Sequence, residues 1–530
     1  MKQFVLSLLM ISMFAAQSFA SSVSNDINLT RETILRVDQL ILHYHDEVEP
    51  LLKRYEKDEN TVFNKSERKK ILHLWTSLID HRIVMHALYS TYSNQNTNYQ
   101  KNLIRLAVNL SLQLSAAVLS KSLWPNKLAR QKLNETNKAE IPRGSFTSLE
   151  NELFRNFGNI KASELPTLFP VYSLEKDLKN FQTFKGNPTT EAEIAIEALN
   201  SVHLAKLKRF EKFATSWSNL FEVKTRFLAY KFKQFFYQMS KKISTWLGDT
   251  KVHQRDPDYY NGKTLINIKL AKKFEAKVKP GDIMISRTNW FLSNAFLPGF
   301  WPHSFLYLGD VNKFKAFFDE KDVNVFYKNE CALEGLTCSS FYQYLQLSNK
   351  TKDAFKAFNT KDKYGYPKVL IEVTSDGTHF SSIRHTFLND YLGALRPKLT
   401  KLQKTRSIVE ALEMHGLEYD FDFDYHSDDR LVCSELVAKA YAPYPGKLGV
   451  EMNYDVDKAM YLDIITGRLA LPVIGFVKKA YDENVTKLRA SQFDFIAFLK
   501  GIRSKKTAVF SSEKEFYQSR NWPKWDFMQE

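Results

Sequence analysis

Cys433 lies in the run Leu431-Val432-Cys433-Ser434-Glu435-Leu436-Val437, and far upstream His303 opens His303-Ser304-Phe305-Leu306-Tyr307-Leu308-Gly309. A thiol attacks as its thiolate, so this pair could carry out nucleophilic acyl chemistry if an imidazole or a helix N-terminus reaches the sulfur. Leu436, Val437, Ala440 and Tyr441 share one helical face. That spacing predicts a helix starting at Cys433, with its backbone N–H groups and dipole aimed at the sulfur. His303 follows Pro302 at the head of a β-rich run, where a base can be held rigidly. Glu372 interrupts the apolar run Val369-Leu370-Ile371-Glu372-Val373, and a buried acid needs a partner, which makes it the natural group to orient the imidazole. Each of the three also has a plain structural account: a buried thiol, a hydrogen-bonded core histidine and a strand-end acid.

The chain has three cysteines, an odd number. Cys331 and Cys338 are close neighbours and are expected to pair in an oxidising compartment, worth ~2–3 kcal/mol on the loop-entropy account. Cys433 is then the free thiol. The oxidising compartment is itself an expectation from the first residues: Lys2, an apolar run from Phe4 to Ala16, and Ser18-Phe19-Ala20 ahead of Ser21 read as a signal peptide over 1–20. No cysteine follows Ala20 to take a lipid, so the expected protein is exported, periplasmic or secreted.

A second cluster competes for attention. Residues Tyr419 to Asp429 read Tyr-Asp-Phe-Asp-Phe-Asp-Tyr-His-Ser-Asp-Asp. An EF-hand loop from Asp420 would need Gly at position 425 and an acid at 431, where the chain has Tyr425 and Leu431. The period of two predicts a strand instead, with Asp420, Asp422 and Asp424 on one face. No metal site and no cofactor is assigned.

The elements that must position these groups fall into two textures. From Leu29 to Gly248 apolar residues recur at three- and four-residue intervals, as in Ile34, Val37, Leu40, Ile41 and Tyr44, or Ile71, Leu74, Leu78 and Ile79. Leu103 to Leu123 is apolar enough for a membrane span, but Asn109, Ser111, Gln113 and Ser115 recur through it, so a buried bundle helix is expected. Thr190 with Glu193 forms a capping-box start and Gly248 a stop, with a break expected near Ser216 to Asn219. Lys224 to Lys242 mixes basic residues with aromatics; it fits either an anionic membrane surface or packing on a neighbouring domain.

Beyond Asp256 short β-rich runs appear at Gly281 to Ile285, Ser304 to Leu308 and Val369 to Val373, with helical periodicity at Arg406 to His415 and Ser434 to Tyr441. This is an α+β pattern. The expected organisation is a helical domain over 21–250, a catalytic domain over 256–500 and a C-terminal tail over 501–530, with a boundary between Gly248 and Tyr260.

The 75 Lys and Arg against 59 Asp and Glu give a formal charge of +16. After export such a charge favours polyanions such as lipid headgroups or wall polymers, and nucleic acid is not an expected partner. A well-solvated basic surface accounts for it equally well.

Taken together, Lys279-Pro280-Gly281-Asp282-Ile283, the His303 run, Ile371-Glu372-Val373, Gly416-Leu417-Glu418-Tyr419-Asp420-Phe421 and Cys433-Ser434-Glu435-Leu436-Val437 resemble the permuted papain-like amidases. These are circularly permuted relatives of NlpC/P60 peptidases, of the YiiX and YaeF type. The resemblance covers about Lys279 to Pro445 and says nothing of the helical region. It implies a circularly permuted papain-like domain with the histidine strand before the cysteine helix. It also implies Cys433 as nucleophile, His303 as base, Glu372 as orienter, and Tyr419 lining the pocket. The chain departs from the compact family pattern through a long segment, 311–365, between the His303 and Glu372 strands. An insertion there is expected to lid the cleft.

The functional expectation is a secreted thiol hydrolase acting on cell-wall peptide or other envelope amides, with a lipid acyl group as the alternative substrate. A non-catalytic envelope scaffold is the competing class, since a fold alone does not confer activity.

Overall fold

Helical spacing of apolar residues governs the first half of the chain and alternation of strands the second, and the protein, a computed structural model, separates accordingly. The structure describes residues 23–55, 63–93, 98–123, 126–135, 141–158, 172–214, 225, 264–289, 297, 299–451 and 471–523. Two compact units result, Met1–Phe235 and Phe236–Glu530. The expected signal peptide over 1–20, the break near 216–219, the basic aromatic stretch 224–242 apart from Thr225, and the boundary between 248 and 260 lie outside the described residues.

The first unit is helical throughout its described elements. They are α1 (Val23–His43), a π-helical turn (Tyr44–Val48), α2 (Glu49–Tyr55), α3 (Lys65–Tyr92), α4 (Tyr99–Leu123), α5 (Lys127–Asn134), α6 (Ser145–Gly158), α7 (Leu174–Thr183) and α8 (Glu191–Ala214). Ile34, Val37 and Tyr44 from one stripe, and Ile71, Leu74 and Leu78 from another, meet Leu103, Leu110 and Leu114 of α4 in one core. By length and composition α4 could cross a membrane, yet its most apolar window is 94% buried inside the unit. Two of its buried polar side chains meet one carboxylate there: Asn109 Nδ2 donates to Asp177 at 2.7 Å, and Arg105 Nε lies 2.8 Å from the same group. The capping box at α8 forms, with Thr190 Oγ1 accepting from Glu193 N and Glu193 Oε2 accepting from Thr190 N.

The second unit opens with α9 (Ile268–Glu275), β1 (Ile283–Arg287) and β2 (His303–Tyr307). The insertion follows as α10 (Val311–Phe318), α11 (Lys321–Leu333), α12 (Phe341–Leu347) and α13 (Lys352–Phe358). Then come β3 (Lys368–Thr374), β4 (Gly377–Ser382), the single turn α14 (Ile383–Thr386), β5 (Tyr391–Pro397), α15 (Lys401–Glu413), β6 (Glu418–Tyr419) and β7 (Arg430–Leu431). The chain closes with α16 (Cys433–Tyr441), α17 (Ile474–Asn484), β8 (Phe493–Ile502), β9 (Thr507–Phe510) and α18 (Glu513–Gln518).

Seven strands form one antiparallel sheet in the order β4-β3-β2-β1-β5-β8-β9, and β6 and β7 pair separately in parallel. The mixed helix-and-sheet expectation is therefore met. Phe274, Met284, Phe305, Leu370, Phe387, Leu392 and Leu499 fill the core on the sheet. α16 packs across β2 and β3 and alongside α15, so the helix that begins with Cys433 lies over the strands that carry His303 and Glu372.

Two expectations are corrected. The acidic run is no strand: β6 ends at Tyr419, and the chain turns because Asp420 accepts from the backbone N–H groups of Asp422 and Asp424. Such side-chain-to-backbone bonds give Asp a local alternative to a sheet ladder, and they override the alternating pattern. Nor are the described residues from 501 onward a tail. β8 runs to Ile502 against β5, β9 pairs with β8, and α18 lays Phe516 against Trp301 and Phe498. Phe516 and Tyr517, adjacent aromatics that the structure buries, were the sequence signal for this.

Cys331 and Cys338 are disulfide-bonded, as their spacing suggested. The bridge closes the end of α11, while Phe314, Phe318, Tyr327, Phe341, Phe355 and Phe358 stack into a local core for the insertion.

Candidate active site

Cys433 is the first residue of α16, with Val432 as its N-cap, so the sulfur stands where the first backbone N–H groups have no intrahelical acceptor. Among the described residues it is the free cysteine, and it is buried. Its Sγ lies 3.7 Å from the carbonyl of Pro302, the residue before His303, and His303 and the backbone N–H groups of Ser304 and Ser434 act on its charge.

His303 opens β2 opposite Ser286 of β1. Its Nε2 is 2.8 Å from Glu372 Oε2, which leaves Nδ1 as the ring nitrogen for the thiol. Glu372, 2% exposed in mid-β3, also accepts from Thr386 Oγ1 at 2.8 Å. Its ring of imidazoles includes His379, directly across the β3–β4 ladder, and His385.

The charges follow from these contacts. Burial works against the Cys433 thiolate, but the His303 hydrogen bond and its positive charge outweigh it, and the thiol falls below its ordinary range. Burial likewise works against an imidazolium at His303, yet the bonds to Cys433 and Glu372 push it up to about 10. Burial would raise Glu372, and His303 and His385 instead hold it well below the usual carboxylate range. Each of these contacts favours the ionised form of its group: a thiolate at Cys433, an imidazolium at His303 and a carboxylate at Glu372.

Trp301 fixes the approach to His303 from behind. It is fully buried, its Nε1 donates to Ser519 Oγ at 2.8 Å, and its ring packs on Phe300, Phe498 and Phe516. The expected tail thus holds the residue two before the imidazole.

A cleft of about 440 Å³ of empty space opens at the sulfur. Leu297, Trp301, Pro302, Phe423, Val432, Leu471, Pro472 and Val473 give it apolar walls, and Tyr419, Ser434 and Glu435 supply polar atoms. Tyr419 therefore sits where the sequence reading put it, half-buried, and burial together with the neighbouring Cys433 charge pushes its phenol up. Glu435 is buried at the third position of α16. Burial, then the nearby Asp420 and Asp424, push it up to about 8 against the pull of Lys439. None of the described residues that line this cleft belongs to the 311–365 insertion, which the sequence expected to lid it. The helices of the insertion pack against α15.

Cys433, His303 and Glu372 are thus brought together, with Tyr419 on the same cleft. Thr386, His379, His385 and Glu435 were not singled out in the sequence. Glu435 stood in the cysteine run itself; nothing in the local sequence flags Thr386, which acts only through the fold. Among the described residues, no group of histidines, cysteines and acids is arranged to hold a metal ion.

A thiol at a helix start thus stands beside a strand-borne histidine on an antiparallel sheet. Residues 277–453 match the model of a named family: permuted papain-like amidase enzyme, YaeF/YiiX, C92 family. No curated protein and no solved structure matches the chain.

Proposed function

We propose that the chain is a cysteine hydrolase of envelope amides, in which Cys433 is the nucleophile, His303 the acid–base group and Glu372 the orienter, on a circularly permuted papain-like domain. The observation that carries this reading is the placement of Cys433 at the N-terminus of α16, with its Sγ 3.7 Å from the carbonyl just before His303, and of His303 Nε2 2.8 Å from Glu372. The Cys433 thiolate adds to the substrate carbonyl carbon. The oxygen that becomes negative is stabilised by the backbone N–H groups at the start of α16 and the positive end of the helix. His303 then gives its proton to the leaving amine as the C–N bond breaks, leaving a thioester. Water, deprotonated by His303, adds to the thioester carbonyl; the C–S bond breaks, the thiolate returns and the acid leaves.

The apolar walls of the cleft favour an aliphatic acyl side on the substrate, so lipid acyl amides and esters stand beside wall peptides as substrates. Export to the periplasm or beyond, and contact of the basic surface with an anionic membrane, complete the proposal. The test is incubation of the protein with muropeptides and with phospholipids, followed by mass spectrometry of the products and of Cys433. A covalent acyl adduct on Cys433 identifies the substrate's acyl half. Neither product nor adduct from any envelope fraction would favour a scaffold.

A further inference from the structure

Glu372 has more partners than an orienting carboxylate needs. Oε2 faces His303, while Oε1 accepts from Thr386 Oγ1 at 2.8 Å and lies 3.6 Å from His379 Nε2 and 3.7 Å from His385 Nδ1. The last torsion of a Glu side chain is broad, so a carboxylate with imidazoles on two sides can turn from one to the other. A neutral donor fixed on Oε1 removes that freedom without adding a competing charge. Thr386 is buried and aimed at this oxygen.

Thr386 and His385 are carried by α14, a helix of four residues. So short a turn has no helical cooperativity of its own and must be held from outside. It is held from three sides. Ser382 Oγ accepts from His385 N and donates to Asp362 Oδ2 at 2.6 Å. Arg384 lies over the rings of Tyr364 and Tyr366, at 4.9 and 5.5 Å from their centroids. Asn389 Nδ2 donates to the Thr386 carbonyl, and Thr288 in turn donates to Asn389. Asp362 and Tyr364 belong to the end of the 311–365 insertion, which therefore reaches the triad from behind.

We propose that Thr386 is a positioning residue of this site: its hydroxyl holds Glu372 toward His303, and the end of the insertion braces the turn that carries it. The inference rests on the Cys433–His303–Glu372 reading. The charged groups around Glu372 are His303 from β2, His379 from β4 and His385 from α14, with Lys363 and Asp362 beside His385. Loss of the Thr386 donor lets Glu372 rise, weakens its hold on the His303 imidazolium and so raises Cys433.

The experiment is the rate of iodoacetamide alkylation of Cys433 against pH in the full-length wild type and in Thr386→Val, Thr386→Ser and Asp362→Ala, with thermal melts of each. We expect the midpoint of the Thr386→Val profile to move up by about one unit, a tenfold slower reaction on the acid side. Thr386→Ser should restore the wild-type midpoint, and Asp362→Ala should move it the same way by less. Should Thr386→Val not fold, Asp362→Ala and Thr386→Ser carry the test. A lower melting temperature with an unmoved profile would show a merely structural role and overturn the proposal. A wild-type profile like that of an ordinary thiol overturns the triad reading and this inference with it.

Discussion

Glu372 Oε2, in mid-β3, lies 2.8 Å from His303 Nε2 at the head of β2. Because Nε2 is committed to the carboxylate, Nδ1 is the ring nitrogen left for Cys433, and a buried negative charge stands behind the imidazole. The strand pairing sets this relationship: Leu306 faces Ile371 across the β2–β3 ladder, which brings the next residue along, Glu372, toward the start of β2. The chemistry of the thiol therefore depends on the register of the two strands against which its helix packs.

The first expected outcome concerns pH. Cys433 is depressed and His303 is raised to about 10, so the reactive pair exists between these two values. Hydrolysis should rise with pH through the Cys433 value, hold a plateau, and fall as pH rises through about 10, where His303 has no proton for the leaving amine. Alkylation of Cys433, which needs only the thiolate, should stay high on that alkaline side. In His303→Ala burial of the thiol is opposed only by the backbone N–H groups of Ser304 and Ser434, and alkylation at pH 7 should drop by roughly tenfold or more. An alkylation rate in that variant equal to wild type would mean that His303 does not activate the sulfur.

Glu372→Gln keeps the shape of the side chain and removes its charge. The amide cannot support an imidazolium, and its NH₂ can present a donor to His303 where an acceptor is needed. Hydrolysis should fall by roughly 10²–10⁴-fold, the order seen when a triad acid is neutralised, with an unchanged circular dichroism spectrum. The His303 value should fall with it, because Glu372 is one of the groups that raise it. Activity within a few-fold of wild type would remove Glu372 from the mechanism.

The local chemistry of the site was readable in the sequence because each residue carries its own signature. A cysteine ahead of a one-faced helix, a histidine at a strand head and an acid in an apolar strand each announce a need. What the sequence hid is long-range. Thr386 meets Glu372 only because α14 follows β4, and Ser519 meets Trp301 across 218 residues. The acidic stretch misled for the opposite reason: its alternation is regular, yet an Asp that bonds its own downstream backbone makes a turn.

The C-terminal hairpin gives the third prediction. Deleting residues after 500 would remove β9, α18 and the end of β8, exposing Trp301, Phe498 and the edge of β8. The truncated chain should aggregate or unfold, since several buried aromatics lose their cover at once. The single change Ser519→Ala is gentler. It leaves the buried Trp301 N–H without its acceptor and should cost about 1–3 kcal/mol in a denaturant titration. A truncation that melts like the full chain would return residues 501–530 to the status of a tail.

Arg430, at the start of β7, is 7% exposed, and its guanidinium lies 3.5–3.7 Å from Asp420, Asp422 and Asp429. It gathers the loop that runs from Tyr419 to the cysteine helix. Burial already pushes Asp420 up, and Arg430 is the first group opposing that rise. Arg430→Met should therefore cost roughly 3–5 kcal/mol at pH 7, the usual cost of stripping a buried pair of one partner. The sign with pH follows from Asp420. In the variant its folded value lies still further above its unfolded one, so the proton is held more tightly in the folded state. Its contribution favours the fold at low pH and is lost as pH rises through the folded value. The deficit against wild type should thus shrink on acidification toward pH 5. Urea titrations of both proteins at pH 5 and pH 7 measure it, and a deficit that grows on acidification would show that the arginine does not serve these carboxylates.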